Sequence, residues 1–419
     1  MRTRLRIGYG LVGLLATGIS LSACSSSDKT GTGTGGGTGG GGSTAAGTGA
    51  GTPATGSPLS IGYVCSCTGP DASSVDAITP VYEAWAAWEN ANGGVNGHPI
   101  KLIKADDGQN SGTSLTLVTK LINDNHVIAV FDNSNVDSAW AKTVQDAGVP
   151  VVGGNLASSE FLTNPDFFAQ GGTGDSVPYG IIGAAHKVNA DKLAVVYCAN
   201  VPICAQLPPA LKSLGGPEGV QVTYSAALPN AAPNYVAHCL AAKQSGANSM
   251  FVASATSVTL GVARSCASQG YKPVYIASET SLTNSSLGTP GIDGSVGELT
   301  NLAAVDTTVP AVQAMRGAID RYDSGYVKSD DFGPGITMGW ASGMLFDAAA
   351  KAAHLGASPT AADILKGLHS LKDETLGGLS SPLNFVKGKP TSVKCWFYYG
   401  IKDGQFTAPY GSQPTCAGS

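Results

Sequence analysis

Two hydrophobic periods alternate along most of this chain. From residue 59 a short apolar run, Ile61-Gly62-Tyr63-Val64, has the length and bulk of a buried strand. A small polar loop occupies 65–74, and then Ile78, Val81, Tyr82, Trp85 and Trp88 recur at the spacing that places them on one face of an α-helix. The turn Asn92-Gly-Gly-Val-Asn-Gly97 ends that helix, because glycine and asparagine accept the left-handed backbone a helix end requires. A second strand over 99–105 runs into Asp106-Asp107, completing a βαβ unit. The alternation goes on: a helix with Leu115, Val118, Leu121 and Ile122 on one face, a strand at 127–131, a helix at 138–147 and a strand at 149–152.

These first strands end in loops rich in Ser, Thr, Asn and Gly: 65–74, Asp132-Asn-Ser-Asn135 and Gly153-Gly-Asn-Leu-Ala-Ser-Ser159. In an open α/β sheet the ends of parallel strands meet along one edge, and that edge is where ligands bind. Any one such loop is ordinary turn and capping chemistry. Three in succession point to a shared polar site.

Gly171-Gly-Thr-Gly-Asp175 reads as a crossing segment, after which a second βα series begins. Its strands fall near 193–197, 220–224, 249–253 and 273–277, and their ends carry Cys198-Ala-Asn200, Ser254-Ala-Thr256 and Ser278-Glu279-Thr280. Glu279 stands out as a lone carboxylate at a strand end. Helices are expected near 309–326, 338–354 and 360–370. The tail, 382–386 and 393–400, reads as strands of a cysteine-stapled hairpin. The pattern as a whole predicts an α/β protein of two doubly wound lobes with parallel sheets.

The amino terminus changes the picture. Met-Arg-Thr-Arg-Leu-Arg6 is basic, and the apolar run from Ile7 to Leu21 is too short to span a bilayer, so it reads as the core of an export signal. Leu21-Ser22-Ala23-Cys24 resembles a bacterial lipobox, which makes Cys24 the expected lipidation site and 1–24 the signal. Residues 25–58 are almost all Gly, Thr, Ser and Ala and cannot build a core; a coil of about 30 residues would hold the first strand roughly 30 Å from a membrane. Gly31, Gly33 and Gly36 match GxGxxG only by accident, since no strand precedes them. Without the signal, 21 basic residues face 29 acidic ones, a balance that argues against nucleic acid as a partner.

Nine cysteines less Cys24 leave eight, an even number in an exported chain, which favours disulfides over metal or catalytic thiols. Local pairs are Cys198 with Cys204, Cys239 with Cys266 and Cys395 with Cys416, leaving Cys65 and Cys67 for one another, although connectivity does not follow from sequence. A metal site at Cys65 and Cys67 would want two more soft ligands, and no histidine lies close in sequence. No metal or other cofactor is expected.

Several phrases carry a family resemblance: Ile61–Val64 followed by Thr68-Gly69-Pro70, the segment Glu89-Asn-Ala-Asn-Gly-Gly-Val-Asn-Gly97, Asp106-Asp107, Val149-Pro150-Val151 before a polar loop, and Ser268-Gln-Gly-Tyr-Lys-Pro273. From Leu59 to about Asp306, and more loosely to the end, the chain resembles the periplasmic binding proteins of the leucine/isoleucine/valine type, the solute receptors of ABC importers. The resemblance implies two Rossmann-like lobes joined by three crossings: an N-lobe of 59–172 and 302–372, and a C-lobe of 173–301 and 378–419. Carried over by position, the ligand site falls on Ser134 and Asn135, on Asn155, Ala157 and Ser158, on Ala255 or Thr256, and on Glu279, with Thr68, Ser74 and Asn200 at neighbouring strand ends. In amino-acid receptors the first two loops hold the α-carboxylate through N–H and hydroxyl groups, and the carboxylate at Glu279 pairs with the ammonium. The chain departs from that pattern where Ser74 replaces a ligand-flanking aromatic, where Ala255 falls near a tyrosine position, and where Ala157 replaces a threonine.

The function so implied is that of a lipid-anchored, extracytoplasmic, monomeric receptor that closes its lobes on a small polar solute, an amino acid among the candidates, and passes it to an ABC permease. The alternative is a sensor lipoprotein that signals the same closure to a membrane partner. An enzyme is not expected: the chain has no GxSxG, HExxH or P-loop, and none of its six histidines falls in a triad pattern.

Overall fold

The computed structural model describes residues 54–199, 202–229 and 232–418. The signal, Cys24, almost all of the tether and Asn200 lie outside them. The first sheet contains β1 (Leu59–Cys65), β2 (Ile100–Asp106), β3 (Ala129–Asn133), β4 (Val151–Gly154) and β5 (Phe167–Phe168), in the order β2-β1-β3-β4-β5 and parallel throughout. Between and around these strands run α1 (Ala72–Val75), α2 (Thr79–Ala91), α3 (Ser111–Asn123), α4 (Ala141–Ala147) and α5 (Glu160–Thr163).

The second sheet contains β6 (Lys192–Cys198), β7 (Gln221–Leu228), β8 (Ser249–Ala253), β9 (Val274–Ser278), β10 (Val296–Leu299), β11 (Cys395–Lys402) and β12 (Gln405–Thr407), with β13 (Thr415–Cys416) added to β11. Its order is β12-β11-β10-β9-β8-β6-β7; it is parallel from β7 to β10 and turns antiparallel at β11 and β12. Its helices are α6 (Val177–Lys187), α7 (Leu207–Gly215), α8 (Val236–Gln244) and α9 (Thr256–Ser268). The remaining helices, α10 (Pro310–Tyr322), α11 (Thr337–Ala353) and α12 (Ala361–Ser370), return to the first sheet: α10 and α11 pack on α2, and α12 packs on α11.

The expected face of α2 carries this packing. Trp85 is wholly buried and meets Phe131 and Phe346 edge-on, with ring centroids at 5.5 and 6.2 Å. On α3 the expected face holds only in part, since Val118 and Leu121 are buried but Leu115 is 40% exposed. The helix expected over 138–147 begins at Ala141 instead. Trp140 leaves helical geometry at φ −128° and buries its ring against Phe167, with centroids 5.8 Å apart, while a single 3-10 turn covers 137–139.

The carboxyl-terminal expectation needs correction. Residues 382–386 form no strand of the hairpin; Leu383 makes one isolated bridge to Glu374. The hairpin partner of β11 is β12, and the cysteine staple joins β11 to β13 through Cys395 and Cys416. Apolar residues at 383 and 385 suit an extended segment, but Pro382 has no N–H to give a ladder. The other bridges join Cys65 to Cys67, Cys198 to Cys204 and Cys239 to Cys266.

Three segments cross between the sheets, and Asn301 ties them together. Its Nδ2 donates to Gln170 O in the first crossing at 2.9 Å and to Leu379 O in the third at 3.2 Å. Around it, Gly172 N donates to Thr300 O and Leu302 N to Leu379 O. Asn301 is buried, so this short side chain satisfies two carbonyls that water does not reach.

Candidate functional site

The loops after β1, β3 and β4 come together at the carboxyl edge of the first sheet, and a buried aspartate organises them. Asp107 accepts Ser66 Oγ at 2.8 Å, Ser114 Oγ at 2.9 Å, Ser134 Oγ at 2.5 Å and the Gln109 N–H at 2.8 Å. Two of these hydroxyls then act as acceptors in turn. Ser66 Oγ receives the Asn135 N–H at 3.0 Å and Ser134 Oγ receives the Val136 N–H at 3.1 Å. One carboxylate thus fixes the backbone of a loop on the far side of β1 through two serines.

A second acidic centre lies beside it. Asp132 at the end of β3 is fully buried; its Oδ1 accepts the Ser134 N–H at 3.0 Å, and its Oδ2 is buried without a partner. Burial, and then the Asp137 charge, hold Asp132 well above the usual carboxylate range. Burial raises Asp137 as well, against the opposing bond from Ser158. Gly154 allows β4 to pass at this point: at φ +140° a Cβ there would stand 1.6 Å from Asp132 O.

Asn155, Ala157 and Ser158 continue the edge. Asn155 donates its N–H to Asp132 O at 2.7 Å and its Nδ2 to Asn135 Oδ1 at 3.1 Å, and its own Oδ1 receives the Ala157 N–H at 3.3 Å. Thr68, exposed at the loop tip, donates its N–H to Asp106 Oδ1 at 3.1 Å. Its neighbour Gly69, at φ +103°, lies where a Cβ would come 2.8 Å from Gly108 O.

The second sheet presents its edge through the loops after β8 and β9, and here the lobes meet. Ser74 Oγ accepts the Thr256 N–H at 3.1 Å, with the Thr256 hydroxyl at 3.4 Å, and Ser73 Oγ donates to Ser257 Oγ at 3.5 Å. Thr256 Oγ1 also donates to Thr280 O at 3.0 Å, joining the two loops of that edge. Ala255 is buried just before α9. The structure therefore brings Ser74, Ala255 and Thr256 to one junction and Ser134, Asn135, Asn155, Ala157 and Ser158 to the facing edge.

Glu279 sits at the end of β9 with φ +32°, a strained backbone for a side chain of its size. Its Oε1 accepts both the N–H of Thr300, at 3.0 Å, and the Thr300 hydroxyl, while Oε2 is buried without a partner. Burial pushes its carboxyl up to about 7, against the lowering effect of the Thr300 bonds. The carboxylate is thus engaged with the second crossing segment. Behind it, Glu298 on β10 is fully buried with neither oxygen paired, and burial followed by the Glu279 charge raises it well above the ordinary range.

Sequence reasoning missed Asp132, Asp137, Ser66, Ser73, Ser257 and Thr300 as members of this constellation. Asp107 stood out in the sequence only as half of an Asp-Asp pair, without a role. The signal that could have found it is the coincidence of a carboxylate with three serines on neighbouring elements. Two cavities are lined largely by other residues. One of about 740 Å³ runs between the start of α8 and α9, with Tyr235, Arg264 and Ser265 in its wall, and reaches Ser257 at the lobe junction. The other, of about 420 Å³, is lined by Arg316, Phe332 and Phe406 among others.

Two lobes with parallel sheets, three crossings and polar strand-end loops facing one another define the type I fold of binding proteins. The family model described as periplasmic binding protein matches residues 58–405, and the chain belongs to that family. Its members bind solutes and do not transform them. No curated protein matches the chain. Among solved structures, a solute-binding protein from R. palustris in complex with 4-hydroxybenzoate is similar at 17% identity over 86% of this chain and 97% of that one, with a TM-score of 0.68. A fatty acid ABC transporter substrate-binding protein from Thermomonospora curvata shares 17% identity over 88% and 93%, TM-score 0.71. A leucine binding protein from Thermotoga maritima shares 12% over 83% and 97%, TM-score 0.67.

Proposed function

We propose that this protein is the solute receptor of an ABC importer, anchored outside the cytoplasmic membrane by a lipid on Cys24, and that it closes its two lobes on a small polar molecule. The observation that carries the reading is the direct contact of Ser73 and Ser74 with Ser257 and Thr256, across the two carboxyl edges where an α/β sheet binds ligand. In this reading the lobes would take 59–172 with 302–372, and 173–301 with 378–419. The solute would lie between Thr68, Ser74, Asn135, Asn155, Ala157 and Ser158 on one side and Ala255, Thr256 and Glu279 on the other, with Ser134 as support and Asn200 at the end of β6.

In this reading no covalent step occurs. Affinity comes from hydrogen-bonding groups held in place before the solute arrives, and from water excluded on closure. The same closed shape, and not the solute alone, is what a permease would recognise. Calorimetry with a metabolite panel tests the proposal. A soluble solute bound one to one, with a smaller radius of gyration in scattering on binding, is expected; a flat response to the whole panel sinks it.

A further inference from the structure

The N–H groups of the two first-lobe loops are the natural receivers of a solute carboxylate, and they are already engaged. Ser134 donates to Asp132 Oδ1, Asn135 to Ser66 Oγ, Val136 to Ser134 Oγ, Asn155 to Asp132 O, Ala157 to Asn155 Oδ1 and Ser158 to Asn155 O, over distances from 2.7 to 3.3 Å. The hydroxyls of Ser66 and Ser134 donate to Asp107, and that of Ser158 donates to Asp137. On the opposite lobe the first N–H of α9, at Thr256, is taken by Ser74.

Charge points the same way. The strand-end loops at 65–74, 106–110, 132–139, 154–160, 254–258 and 278–282 contain no lysine, arginine or histidine. They do contain Asp71, Asp106, Asp107, Asp132, Asp137, Glu160 and Glu279. A carboxylate entering here would face acidic groups and would find the backbone N–H donors named above already engaged, and an anion buried without paired donors is strongly disfavoured. Two buried groups remain without partners at the ends of β9 and β8, Glu279 Oε2 and the Ser254 hydroxyl: the ionised Glu279 carboxylate accepts, and the hydroxyl accepts or donates.

We infer that the solute is carboxylate-free, a neutral or amine-bearing compound that supplies hydrogen-bond donors to the acceptor groups of the two loop edges. The inference rests on the receptor reading and narrows it. It also parts this chain from the expected amino-acid mode, in which these same loops would hold an α-carboxylate. Asp107 and Asp137 are then what sets the polarity of the site: by consuming serine donors they leave the loops rich in acceptors.

The test is calorimetric titration of the full chain with matched pairs that differ only in the acid group, including L-leucine with L-leucinamide and 4-hydroxybenzoate with 4-hydroxybenzamide, within a wider set of polyols, amides and amines each paired with its acid. The expected hits are carboxylate-free, with the acid partner at least tenfold weaker. A hit whose acid form binds as tightly or more tightly overturns the inference while leaving a solute receptor in place. Silence across the whole set overturns the receptor reading, and the inference falls with it.

Discussion

Ser74 on the first lobe caps a helix of the second: its Oγ accepts the N–H of Thr256, the first residue of α9, at 3.1 Å. A helix start has N–H groups without intrahelical partners, and a serine oxygen is a preferred acceptor for them. The cap is unusual in coming from a residue 182 positions away on the opposing edge. Lobe contact and helix satisfaction are thus one interaction, and opening the lobes must hand that N–H to water or to solute.

Ser74→Ala removes the acceptor. The lobe contact should weaken by about 1 kcal/mol, the usual cost of a lost cap, with little effect on either core. Small-angle scattering of the variant without solute should give a larger radius of gyration than the parent. An unchanged radius would show that the bond does not hold the lobes together.

The neighbouring pair offers the converse experiment. Ser73 Oγ and Ser257 Oγ stand 3.5 Å apart on exposed residues, close enough for side chains of cysteine size to meet. The double variant S73C/S257C should form a bridge under mild oxidation and, once bridged, should admit solute far more slowly than the reduced form. Peptide mapping detects the bridge and stopped-flow binding reads the rate; equal rates in both redox states would count against closure at this point.

Most of the architecture was legible in the sequence because it rests on period. The alternation of buried strands with helices such as α2 and α9 survives any reading, as do the strand ends where small polar residues collect. Less legible was whatever depends on long-range partners. β10 carries Gly297 and Glu298 in a run of only four residues, and its strand character comes from pairing β9 and β11 on either side. Asp132 looked like a loop residue but lies inside β3, where burial and the nearby Asp137 charge raise its carboxyl well above the ordinary range and so favour the neutral form that a buried site tolerates. The direction of Glu279 was equally hidden. Its partner Thr300 lies 21 residues on, in a crossing segment that only the folded chain brings near.

Asp107→Ala would leave the hydroxyls of Ser66, Ser114 and Ser134, all buried, without their shared acceptor. A loss of about 3 kcal/mol or more is expected from several stranded donors, whereas Asp107→Asn keeps one acceptor oxygen and should cost less. Urea unfolding gives the order of the two variants. Hydrogen exchange should rise first at Asn135 and Val136, whose N–H groups depend on the two serines.

Asn301→Ala should act on the hinge. Gln170 O would lose its Asn301 donor and Leu379 O would keep only the Leu302 N–H, at about 1–3 kcal/mol in total, and the three crossings would lose their shared side-chain tie. Urea midpoints should fall, and scattering without solute should broaden toward more open shapes. A variant as stable as the parent would show that water replaces the side chain at the crossing.

Glu279 makes stability depend on pH. Burial, its main cause, lifts the folded-state value from the ordinary 4.5 to about 7, so between these limits the folded chain holds a proton that the unfolded chain has released. This contribution is therefore fully present below about pH 4.5 and is lost as pH rises through about 7. Its full size is about 3.5 kcal/mol, two and a half tenfold changes in proton affinity between the two states at about 1.4 kcal/mol each, of which about 2.5 kcal/mol is lost between about pH 5 and about pH 8. Glu279→Gln keeps an oxygen for Thr300 and cannot ionise, so its advantage over the parent should grow from about pH 5 to about pH 8 by roughly that amount. Glu89 also has its carboxyl raised to about 7, by burial and then by the Asp347 charge, and it contributes to the parent's pH profile in the same direction. Because Glu89 is present in both proteins, the difference between parent and variant isolates Glu279. Parallel curves over that range would mean that the Glu279 carboxyl meets solvent in the folded protein and does not carry the charge cost assigned to it.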